Sequence, residues 1–74
     1  MTEQERAEKV KVATINKAAK DIDHCKKMEV IYAVGIGNYR KQDKIEEANM
    51  CAKVHKSYKN LRKTLEEFLK VIES

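Results

Sequence analysis

The apolar spacing near the C-terminus constrains this chain more than any other feature of it. Cys51, Val54, Tyr58, Leu61, Leu65, Phe68 and Ile72 follow one another at steps of three, four, three, four, three and four. A helix turns about 100° per residue, so this spacing lays those side chains along one narrow stripe. Such a stripe, held from residue 51 to residue 72, is the seam of a helix packed on another helix. The partner helix has to come from the same chain or from a second copy.

The N-terminal half supplies a candidate. Thr2 followed by Glu5 fits a capping box, in which a hydroxyl and a carboxylate satisfy free backbone N–H groups at a helix start. No helix breaker follows until Gly35. On a helical projection Val12, Ile15, Ala18, Ala19, Ile22 and Cys25 gather on one side, with Arg6, Lys9, Lys17, Lys20 and Lys27 broadly opposite. Val12, Ile15, Ala19 and Ile22 are therefore expected to complete the core seam. The small residues allow close helix approach.

Between the halves lies the most apolar stretch, from Met28 to Tyr39, which holds both glycines. Val30, Ile31, Tyr32 and Val34 favour extended structure, but a lone short strand has only its own copy to pair with. The preferred reading is a helix to Val34 and a turn through Gly35, Ile36, Gly37 and Asn38, residues suited to a helix stop. An alternative makes residues 28–40 a third short helix. Asp43 with Glu46 forms a second capping box. The organisation expected is one domain over residues 1–74, with helices over about 3–34 and 43–73 and a loop over about 35–42.

Two registers follow from where the hairpin turns. A turn near residue 39 sets Ile22 beside residue 56. A turn nearer Lys41 and Gln42 sets Ile22 against Leu61, Ala19 against Leu65 and Val12 against Ile72. The second matches apolar to apolar better, but it leaves both glycines inside a helix at about 1 kcal/mol each. The sequence leaves both open.

Composition agrees with an all-α chain: 38% of residues are charged, 5% are aromatic, and Pro is absent. Seventy-four residues bury only about 60% of their unfolded surface. An antiparallel two-helix hairpin also leaves part of each seam wet. Dimerisation to a four-helix bundle, with coiled-coil packing, is the expected remedy. No apolar run approaches the roughly 18 residues a membrane span needs, and Met1 to Arg6 lead into a charged helix rather than a signal peptide's apolar core. Two cysteines do not make a disulfide framework, so a cytoplasmic protein with reduced thiols is expected.

Chemistry-bearing groups are few. His24, Cys25, Cys51 and His55 have ligand character, yet His24 and Cys25 point about 100° apart and the C-x₂-C spacing of structural zinc sites is missing. Packing thiols are the simpler reading, with no metal and no cofactor. Gly35-Ile36-Gly37 lacks the further glycine and lysine of a phosphate loop. A Cys51–His55 nucleophile has no third group to orient the imidazole. The carboxylate pairs Glu46–Glu47 and Glu66–Glu67 are adjacent and splay apart on a helix. An enzyme is not expected.

The net charge is +4. Lys9, Lys17, Lys20, Lys27, Lys53, Lys56, Lys59 and Lys63 could contact successive phosphates in a dimeric nucleic-acid-binding protein, although outward lysines also keep a bundle soluble. The leading expectation is a small non-enzymatic interaction module, a regulator, inhibitor or adaptor acting through helix–helix contacts with a partner protein. Ile31, Tyr32, Ile36 and Tyr39, an apolar cluster beside the expected loop, are its candidate partner-binding residues.

Overall fold

A computed structural model describes residues 2–73. It is a hairpin of two helices, α1 (Glu3–Lys41) and α2 (Ile45–Glu73). Thr2 caps α1 as expected: its Oγ1 accepts the Glu5 backbone N–H at 3.2 Å. Glu3 and Glu5 in the first turn and Arg40 and Lys41 in the last complement the helix dipole.

The turn is not where the glycines are. Gly35 and Gly37 both lie inside α1, and the connection is residues 42–44. The chain reverses at Asp43, which takes the left-handed conformation at φ 61°. The Lys44 N–H donates to the Tyr39 carbonyl at 2.8 Å, and the Asp43 N–H to the Arg40 carbonyl at 3.1 Å. These two bonds are a Schellman closure of α1 with Asp43 in the position glycine usually fills. Asp43 therefore ends the first helix rather than capping the second, and the expected Asp43–Glu46 box is replaced by it. The loop expected over 35–42, the first-helix end at 34 and the separate short helix over 28–40 all give way to one continuous α1.

The reason is packing. Ile15, Ala18, Ile22, Cys25, Glu29, Tyr32, Ile36 and Tyr39 recur at alternating steps of three and four, and all are buried or half-buried. A turn at Gly35 would remove Tyr32, Ile36 and Tyr39 from that seam. Each half-buried side chain contributes about 1 kcal/mol, roughly half the value for full burial, which outweighs about 1 kcal/mol for each helical glycine. Gly35 is also a point of close approach: a Cβ built there would lie 3.4 Å from Cys51 Sγ. That pairing, with Glu29 on Arg62, centres the antiparallel register close to Asp43, near the second of the two sequence registers.

The molecule measures 61 × 17 × 14 Å, the long dimension matching a 39-residue α1 at about 1.5 Å per residue. The 29-residue α2 is shorter, so the first turns of α1 run on past its end. Residues 2–13 are accordingly all exposed, Val12 among them at 53%. That overhang removes Val12 from the expected core. Among the described residues the buried apolar side chains are few: Ala18, Ile22, Cys25 and Ala48. Among the described residues no helix is long and apolar enough to cross a membrane.

Candidate interaction surface

The seam of α2 is not the one its hydrophobicity suggests. Ala48, Cys51, His55, Tyr58, Arg62, Leu65, Leu69 and Ile72 are the residues turned toward α1, all buried or half-buried. Cys51, Tyr58, Leu65 and Ile72 belong to the expected seam. Its other members, Val54, Leu61 and Phe68, lie on the flank, with Leu61 49% and Phe68 44% exposed. On α1, Ile22 is buried and Ile15 half-buried, while Ala19 is exposed.

A polar cluster explains the rotation of α2. Glu29 sits in the middle of the α1 seam, and Arg62 meets it from α2. Arg62 Nε donates to Glu29 Oε2 at 2.6 Å and Nη2 to Glu29 Oε1 at 3.3 Å, a two-pronged contact. Its Nη1 donates to Glu66 Oε1 at 2.6 Å. The Arg62 hydrogen bond holds the Glu29 carboxyl below its ordinary pKa, and the bonds to Glu29 and Glu66 hold the guanidinium charged. A half-buried glutamate facing Leu61 instead would lose these donors. Turning Arg62 inward therefore turns Leu61 out.

Aromatic contacts fix the neighbouring layer. Tyr58 stacks on Tyr32 with ring centroids 6.0 Å apart, and His24 meets Tyr58 edge-on at 6.1 Å. Such pairs contribute about 0.5–1.5 kcal/mol beyond burial. Both cysteines are free thiols; Cys25 is the more deeply buried. Burial, with help from Glu29 and Asp21, pushes the Cys25 thiol above its usual pKa. Among the described residues no three His, Cys, Asp or Glu side chains gather as a metal site.

Of the four expected partner residues, Tyr32, Ile36 and Tyr39 are half-buried on the α2-facing side and Ile31 alone is exposed. They do not flank a loop, because the loop lies further on. Tyr32 and Tyr39 still open onto solvent in a shallow groove of about 270 Å³, shared with Glu47, Met50, Cys51 and Val54.

That groove is one end of a longer surface. Met50, Val54, Ser57, Leu61, Thr64, Phe68 and Val71 recur on α2 at steps of four and three, a second heptad stripe beside the inner seam, and none carries a charge. Val54 is half-buried and the others are exposed. Ser57 and Thr64 are its polar members. Each hydroxyl already donates to its own helix, to the carbonyls of Lys53 at 3.1 Å and Asn60 at 3.0 Å. The stripe could be covered without stranding a donor. Sequence reasoning placed three of its residues in the core; the charge-free repeat through Met50, Ser57, Thr64 and Val71 was the available signal.

The candidate phosphate contacts, Lys9, Lys17, Lys20, Lys27, Lys53, Lys56, Lys59 and Lys63, are all exposed. Helical spacing spreads them over several faces: Lys56, Lys59 and Lys63 line the flank of α2 away from the stripe. Lys27 Nζ is 3.4 Å from Asp23.

The class defined by this geometry is a two-helix hairpin with one filled seam and one exposed. Comparison of the chain with protein-family models, with curated proteins and with solved structures finds no match.

Proposed function

We propose that the chain is a small non-enzymatic interaction module that binds another helical surface through the outer stripe of α2. The observation that carries this reading is the uncharged heptad repeat from Met50 to Val71, exposed at every position but the half-buried Val54, beside a filled seam. A charge-free stripe of that length on an otherwise highly charged helix has the form of a helix-packing surface. Acting in the cytoplasm, such a module serves as a regulator, inhibitor or adaptor by occupying an apolar helix or groove on its partner. The expected four-helix bundle, a dimer of hairpins, is one way of covering the same stripe.

The test is affinity capture from source-cell lysate, with wild type and with Leu61→Lys plus Phe68→Lys, each with and without nuclease. The reading expects a protein partner that survives nuclease and is lost with the double variant. Equal capture by both chains overturns it.

A second reading, phosphate contact by the lysines, is supported by the grouping of Lys56, Lys59 and Lys63 on the flank away from the stripe. It expects bound nucleic acid in the captured fraction and a smaller salt dependence when Lys53, Lys56, Lys59 and Lys63 become Gln.

A further inference from the structure

We infer that the occupant of the α2 stripe is a second copy of the same stripe, running antiparallel about a twofold axis level with Asn60 and Leu61. The inference rests on the interaction reading above and names its partner.

Area comes first. A folded monomer of 8.6 kDa exposes about 4,700 Å² by surface scaling. This hairpin exposes 5981 Å², an excess of about 1,300 Å², against about 800 Å² per partner in a standard interface. The chain has room to bury a full interface, and among the described residues only Ala18, Ile22, Cys25 and Ala48 form a buried apolar core without one.

Complementarity then selects the partner. Across a twofold axis at that level, Leu61 meets its own copy, Val54 meets Phe68 and Met50 meets Val71. Ser57 faces Thr64, both with hydroxyls already bonded to their own helix. On the outer rim Lys53 falls opposite Glu67, twice by symmetry, and Asn60 faces itself. Apolar layers meet apolar layers, and the rim charges are opposite in sign. A parallel pairing sets Lys53 on Lys53 and Glu67 on Glu67, which repel. An isologous contact of this kind closes on itself, as twofold dimers do.

The same register accounts for the overhang. The axis lies about 26 Å from the hairpin end at about 1.5 Å per residue. The hairpin end of the second copy then reaches about 52 Å along the first, level with the exposed opening turns of α1. Those turns gain a neighbour that α2 of their own chain is too short to provide.

Sedimentation equilibrium and crosslinking test the proposal. Purified wild type should sediment at twice the 8.6 kDa chain mass, and Leu61→Lys should weaken the dimer by about 30-fold or more with helicity unchanged. In a chain with Cys25 and Cys51 replaced by Ala and its dimer mass verified, Leu61→Cys should be joined to itself by a short bismaleimide. Val54→Cys and Phe68→Cys should each fail alone and crosslink when mixed. Self-crosslinking at all three positions would mean a parallel dimer and overturns the register. A wild-type chain that stays at its own mass at about 100 μM, where a standard interface is saturated, overturns the second-copy assignment. That result leaves the interaction reading to its own capture experiment, in which the partner is a different protein.

Discussion

Alanine at the two glycines decides where this chain turns. Gly37 lies inside α1 with nothing within 4 Å of a Cβ built on it. Gly37→Ala therefore recovers the helix propensity lost by glycine and meets no obstacle, a gain of about 1 kcal/mol. For a domain of this size that raises Tm by about 4–8 °C. Gly35→Ala recovers the same propensity, but its Cβ would sit 3.4 Å from Cys51 Sγ, at the edge of ordinary contact. Its gain should be smaller, about half, because Cys51 has to yield slightly. Urea denaturation followed by circular dichroism measures both, at one fixed protein concentration because association adds to apparent stability. A turn through residues 35–38 would reverse the sign. Glycine there would hold a left-handed conformation, and alanine would destabilise by about 1 kcal/mol or more. Loss of stability in Gly37→Ala refutes the continuous helix.

Other outcomes follow from the same contacts. Because Arg62 lowers the Glu29 pKa in the folded state, the unfolded chain binds that proton first on acidification. The stability it contributes is complete above the ordinary glutamate value and disappears as pH falls through the lowered one. Glu29→Gln should flatten that part of a stability–pH profile, and an unchanged slope would refute the role. Leu65→Asp sets a charge in the seam shared by both helices and should destabilise by about 2–3 kcal/mol; full helicity with an unchanged urea midpoint would mean Leu65 is not packed. Thiol titration at mildly alkaline pH should find Cys51 reacting well before Cys25, which is 1% exposed and whose thiol is held protonated by burial. Equal rates would show that Cys25 is not enclosed.

The alignment of polar residues explains why part of the surface was hidden in the sequence. Cys51, Tyr58, Leu65 and Ile72 lie between two possible companions, Val54–Leu61–Phe68 on one side and His55–Arg62–Leu69 on the other. Hydrophobicity alone selects the first set. The second is inside because Glu29 on α1 brings Arg62 to it, and that match depends on a register the sequence does not fix. The same rotation turned Leu61 and Phe68 from expected core into exposed flank.

By itself the sequence determined a helical chain: charged composition without proline, a Thr2 cap, and apolar residues at helical period in both halves. It also placed Ile22 and Cys25 on one face of α1, and Tyr58 and Leu65 on one stripe of α2, without showing which flank of either would be covered. The tertiary structure alone decided the turn and the flank. Glycine's local preference to stop a helix is worth about 1 kcal/mol, and the seam contacts of Tyr32, Ile36 and Tyr39 with α2 exceed it. A single hairpin can fill only one of the two stripes that α2 carries, so filling the inner one with Arg62 on Glu29 left the uncharged one outside.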